Sequence, residues 1–279
     1  MTAAATALDR LQAGDLELAH RELGSGPPVL LLHGWPTSSF LWRDVMPAIA
    51  RRNRVLALDL PGFGGSDKPL ETRYDFEFFT RAIDGFLAAA GVDRVAIAGH
   101  DLGGPIAVRW ALDNPERVTH LALLNTLLYP DFDPSVMEFV TTLANPDTRS
   151  ELTSAPGLES VIRLGLADEA SLTNEVLAGV VDPFPDEDSR VALAKAGIEL
   201  QPDGFADLSR RLSELSVPVR VVYGEQDRVL PDVAETMARV KRDVPQAEVT
   251  AIPTAGHFVQ EEAGGEVGDL LAAFFAESA

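Results

Sequence analysis

Hydrophobic residues in this chain fall into short unbroken blocks separated by polar, glycine-rich and proline-rich breaks. Residues 29–32, 55–60, 94–98, 121–125 and 219–223 are apolar runs too short for helices, the pattern of strands buried on both faces. Residues 16–23 alternate apolar and polar, as a half-exposed strand does, and residues 248–252 predict a last strand. Residues 76–90 predict a helix, and residues 104–112 another, with Pro105 in its first turn. Strands alternating with helices predict an α/β fold, with a mostly parallel central sheet carrying helices on both faces.

Residues 129–212 break that rhythm. No convincing strand occurs there, and Pro130, Pro134, Pro146, Pro156, Pro183, Pro185 and Pro202 punctuate short helical patches. The expected organisation is a core of residues 1–128, a helical cap of 129–213 and a second core part of 214–279. Because the insertion starts at the carboxyl end of a central strand, it is expected to lie over the strand ends where open α/β sheets bind ligands. Phe132, Met137, Phe139, Leu143, Leu164, Phe184 and Phe205 are candidate lining residues within it, though their spacing suits ordinary helix packing equally well.

Composition narrows the function classes. At 279 residues and 46% hydrophobic, the chain suffices for one large core. A formal net charge of −20 disfavours nucleic acid and anionic membranes as partners. Cysteine is absent, which excludes disulfides and thiolate metal sites. Residues 1–10 carry no leader pattern and no run reaches membrane-spanning length, so a cytoplasmic protein is expected. Neither a metal cluster, a phosphate loop nor a dinucleotide fingerprint is visible, so no cofactor is expected. The expected partners are a small apolar organic molecule and water.

The sharpest chemical feature is Gly99-His100-Asp101-Leu102-Gly103, lying between a predicted strand and a predicted helix. A G-x-nucleophile-x-G turn needs that context, since Cβ atoms beside the nucleophile would clash with strand and helix. Serine there would imply acyl transfer. Aspartate implies attack on a saturated carbon, giving an alkyl ester that water must then hydrolyse. The second step needs a base, and His257 is the candidate. It lies in a loop after the last strand, whereas His20, His33, His100 and His120 lie on or beside strands and turns. Asp227, just beyond residues 219–223, is the candidate acid to orient His257; Asn125 occupies the alternative position. Backbone amides of Trp35 and Leu102 are the candidate oxyanion hole.

These residues bring a family into view. His33-Gly34-Trp35-Pro36-Thr37-Ser38-Ser39-Phe40-Leu41-Trp42-Arg43, Gly65-Ser66-Asp67-Lys68-Pro69, Pro183-Phe184-Pro185-Asp186 and His257-Phe258-Val259-Gln260-Glu261-Glu262 resemble haloalkane dehalogenases. The elbow is shared with epoxide hydrolases. Over nearly the whole chain, the sequence resembles this branch of the α/β-hydrolase superfamily. The resemblance implies the α/β-hydrolase fold, Asp101 as nucleophile and cleavage of a carbon–halogen bond or an epoxide. Haloalkane dehalogenases typically carry Trp after the nucleophile to hold the departing halide, where this chain has Leu102. Epoxide hydrolases usually protonate the opened ring with two cap tyrosines. Here only Tyr129, at the cap hinge, is a candidate proton donor, and the Trp35 indole is a candidate substitute halide contact. Two further readings are a non-catalytic ligand-binding homologue and ester or lactone hydrolysis with Asp101 as base.

Overall fold

The computed structural model describes residues 7–276; the part of the leader reading that falls on residues 1–6 lies outside them. Eight strands form one sheet: β1 Leu8–Ala13, β2 Leu16–Gly24, β3 Pro28–Leu32, β4 Arg54–Leu58, β5 Val95–His100, β6 Val118–Leu124, β7 Val219–Gly224 and β8 Glu248–Ile252. Their spatial order is β1-β2-β4-β3-β5-β6-β7-β8. Strand β2 pairs antiparallel with both neighbours, and β3 to β8 run parallel. The helices are α1 Met46–Ile49, α2 Phe76–Ala89, α3 Gly103–Asp113, α4 Pro134–Ala144, α5 Pro146–Leu152, α6 Ala155–Gly165, α7 Asn174–Val181, α8 Glu187–Ile198, α9 Pro202–Arg211, α10 Val233–Asp243, α11 Val259–Glu262 and α12 Gly264–Ala276.

The apolar blocks become the central strands, and β5 is buried along its whole length. A strand with helices on both faces can bury every side chain, so its sequence is continuous rather than alternating. Helix α2 shows the complementary pattern. The Asp75 side chain caps it by accepting from the Phe78 N–H, and Phe76, Phe79, Ala82, Ile83, Phe86 and Leu87 fill its buried stripe. Strand β1 was not expected. It is a largely exposed edge strand, Leu-Asp-Arg-Leu-Gln-Ala, held by antiparallel pairing with β2.

Between β6 and β7 the described chain runs through α4 to α9 with no strand. Polar contacts fix this helical layer to the core. Glu199 accepts from the Tyr74 N–H (2.7 Å), and Lys195 donates to the carbonyls of Leu70 and Thr72. Phe205 packs edge-on against Phe76, with ring centroids 5.4 Å apart. Among the described residues, no helix is long and apolar enough to cross a membrane.

Candidate active site

The parallel strands β3, β5, β6, β7 and β8 all end on one side of the sheet, and the candidate residues sit in the turns that follow them. Asp101 leaves β5 with φ +50°, a left-handed conformation that a non-glycine residue adopts at a cost. The neighbouring glycines make the turn possible. A Cβ on Gly99 would overlap the Gly103 carbonyl, and one on Gly103 would run into the backbone of Leu32 and His33. The turn is pinned from β6 as well: the Thr126 hydroxyl donates to the Asp101 carbonyl (2.6 Å), and the Asp101 amide donates to the carbonyls of Leu124 and Asn125.

The Asp101 carboxylate accepts from the Trp35 N–H at Oδ1 (2.9 Å) and from the Leu102 N–H. Its other oxygen, Oδ2, lies 3.6 Å from His257 Nε2, too far for a hydrogen bond. His257 Nδ1 lies 2.8 Å from Asp227 Oδ2. A carboxylate only accepts, so Nδ1 carries a proton, and in the neutral imidazole Nε2 is the nitrogen that presents a lone pair toward Asp101. Asp227 is itself surrounded by donors. The Asn125 side-chain amide reaches Oδ2 (2.9 Å), and the amides of Val229 and Leu230 reach Oδ1 (2.8 Å each). The structure therefore brings Asp101, His257, Asp227 and the amides of Trp35 and Leu102 together.

Burial drives the electrostatics. It pushes the Asp101 pKa above its ordinary value, against the opposing pull of His257 and the two amides. Burial alone would lower His257, but the Asp227 and Asp101 carboxylates outweigh it and hold the imidazole above its ordinary range. For Asp227, burial is outweighed by His257, the Leu230 amide and Asn125, leaving it below the usual carboxylate range.

Two expectations need correction. Tyr129 does not line the cavity above Asp101. Its hydroxyl donates to Asp243 on α10 (2.8 Å), and Arg239 stacks on its ring at 3.7 Å, so it cannot protonate anything bound there. The Trp35 indole N–H is likewise committed, donating to the Leu193 carbonyl on α8 (3.2 Å).

Above Asp101 lies a cavity of about 290 Å³ between the sheet ends and the helical layer. Of the lining candidates, Phe132, Met137, Phe139, Leu164 and Phe205 face it. Leu143 and Phe184 do not; both are buried in packing, and Phe184 lies near Lys68. Sequence reasoning passed over several supports of the loop. Gly165 accepts from the His257 N–H (2.7 Å), the His100 ring donates to the His257 carbonyl (3.0 Å), and Glu262 binds the amides of Gly256 and Asp168. Asn125 was legible only as a position lacking a carboxylate; its amide turns out to join Asp227 to Gly224. Among the described residues, no group of three or more histidines, cysteines or carboxylates could hold a metal.

Comparison with known proteins agrees with this architecture. The family described as alpha/beta hydrolase fold matches residues 27–264. The chain is 30% identical over 272 residues to 2-hydroxy-6-oxononadienedioate/2-hydroxy-6-oxononatrienedioate hydrolase 1 of Dechloromonas aromatica, covering 94% of this chain and 92% of that protein. It is also 30% identical over 257 residues to haloalkane dehalogenase 2 of Mycobacterium tuberculosis, covering 89% and 87%. Among solved structures, epoxide hydrolase CorEH matches with a TM-score of 0.83 at 26% identity, covering 97% of this chain and 98% of that one. The chain belongs to the α/β-hydrolase fold family and is a hydrolase.

Proposed function

We propose that Asp101 is the nucleophile of a haloalkane dehalogenase-like hydrolase acting on a small apolar substrate, with residues 129–213 as its cap and the cytoplasm as its location. The observation that carries this reading is a carboxylate on the elbow, gripped by two amides at the floor of an apolar cavity, with a paired histidine 3.6 Å away. One Asp101 oxygen attacks the carbon bearing the halogen. The carbon–oxygen bond forms as the carbon–halogen bond breaks, and the halide leaves with the electron pair. His257 Nε2 then takes a proton from a water that attacks the ester carbonyl carbon, and the Trp35 and Leu102 amides hold the oxyanion. Collapse expels the alcohol, protonated by His257, and Asp101 returns its own proton to solvent. Asp227 holds the imidazole tautomer and stabilises the imidazolium.

Ester formation also times the second step. It converts Asp101 into a neutral group and so removes one of the two carboxylates that raise the His257 pKa. The imidazole is therefore more fully neutral in the intermediate, when Nε2 must accept a proton from water.

The donor inventory supports halide over epoxide. An opened epoxide leaves an alkoxide that needs a proton, and the Tyr129 hydroxyl is committed to Asp243; a departing halide needs no proton, although the Trp35 indole, donated to Leu193, does not hold it either. Halide leaves as a stable anion. Epoxide hydrolysis stands second because of the likeness to CorEH. A single turnover in water enriched in the heavy oxygen isotope tests the nucleophile. The account expects heavy oxygen in the peptide bearing Asp101 and ordinary oxygen in the first alcohol. Heavy oxygen in the first alcohol would mean direct attack by water.

A further inference from the structure

Of the residues lining the cavity, only two carry charge: Asp101 at the floor and Arg228 at the exposed mouth. Arg228 follows Asp227 directly, in a turn that the Val229 and Leu230 amides tie to the Asp227 carboxylate, so its backbone is fixed. Its guanidinium is held as well. Nε donates to the Leu164 carbonyl (3.0 Å), and Nη2 to the carbonyls of Arg163 (3.2 Å) and Leu166, all at the carboxyl end of α6. These partners are neutral main-chain groups. No carboxylate pairs with Arg228 among the described residues, and Nη1 has no acceptor there, in a chain whose acidic groups outnumber basic ones 43 to 23.

Capping α6 accounts for Nε and Nη2, but leaves a full positive charge and a two-hydrogen donor at the rim of an apolar chamber. Beside it, Leu164 is 49% exposed, and on the same rim Met137 is 45% exposed. The mouth therefore offers apolar contact to a chain and the free N–H groups of a charged Nη1 to its end.

Building on Asp101 as nucleophile, we infer that the preferred substrates are apolar chains with the leaving group at one end and a carboxylate at the other, the carboxylate seated on Arg228. The polarity of the cavity fixes this orientation. A carboxylate next to the reacting carbon would be carried down to the Asp101 carboxylate and repelled, whereas one at the far end reaches the mouth. The guanidinium stays charged, and its free Nη1 can donate charge-assisted hydrogen bonds to that end without a partner residue.

The test measures the rate of ester formation by intact mass, in the His257→Phe background that stops at the ester. The probes are 6-bromohexanoate, 1-bromohexane and 2-bromohexanoate. We expect 6-bromohexanoate to label about threefold faster than 1-bromohexane, as an exposed charge-assisted pair provides, and 2-bromohexanoate to label slowest. Adding Arg228→Met should collapse the ratio of the first two rates toward one, and Arg228→Lys should restore part of it. Equal rates in the parent, or a fall by one common factor for every probe in Arg228→Met, would reduce Arg228 to a helix cap and overturn the inference while leaving the nucleophile intact. Absence of label from every probe would overturn the Asp101 reading and this inference with it.

Discussion

The floor and the roof of the cavity are built on opposite principles. At the floor, polar groups are over-determined. Asp227 alone meets His257, the Asn125 amide and two backbone amides, and Asp101 meets two amides and faces a histidine. In the roof, Phe132, Phe139 and Phe205 make edge-on aromatic contacts, and the Trp35 indole and Tyr129 hydroxyl hydrogens are spent on protein acceptors. The difference teaches where specificity can change. A floor whose groups share partners fails as a unit when one is altered, while a roof held by packing can be reshaped at a cost in stability.

The most damaging way to break this contrast is Asp227→Asn. An amide there would turn donors toward donors and disfavour the His257 tautomer that leaves Nε2 open. Hydrolysis of the ester should fall by about three orders of magnitude or more, with the fold retained, as single-turnover kinetics and thermal unfolding would reveal. A smaller loss would mean that Asn125 and the loop amides suffice to orient the imidazole.

Phe205→Ala probes the roof. Phe205 is buried between Phe76 and Phe132 and reaches the cavity, so its loss should cost roughly 3 kcal/mol in denaturant unfolding. Ester formation from small bromoalkanes should change by less than about tenfold, while branched ones gain relative to them, since a single pocket contact is worth only a few kcal/mol. A collapse of chemistry in this variant would make roof and floor one unit.

The gentlest probe is pH. The folded pKa of His257 is raised above 6.5, so its contribution to stability is full below that value and is lost as pH rises through the folded pKa. The folded pKa of Asp227 is lowered below 3.8, so its contribution holds above that value and is lost as pH falls through the folded pKa. Comparing melting temperatures of the native chain and His257→Phe across this range should show the native advantage shrinking on the alkaline side. A constant difference would mean that the two carboxylates do not hold the proton on His257.

The sheet was legible in the sequence because residues buried on both faces must form continuous apolar runs. The elbow was legible because its glycines answer a steric demand that few turns make. Strand β1 was not, since an edge strand in solvent carries no pattern beyond its pairing with β2. Tyr129 shows the other limit. Its position just past β6 was readable, but the direction of its ring depended on Asp243 and Arg239, more than a hundred residues away. The same distance hid the bond from Asn125 to Asp227. Chain order identifies which residues meet at strand ends, while the helical layer above them is set by packing that periodicity does not orient.

The most direct test of the central claim is the mass of His257→Phe after incubation with 1-bromohexane. The account predicts a gain equal to one hexyl group, confined to the peptide containing Asp101, with one equivalent of bromide released. Bromide release without any adduct, or an adduct on another residue, would contradict it.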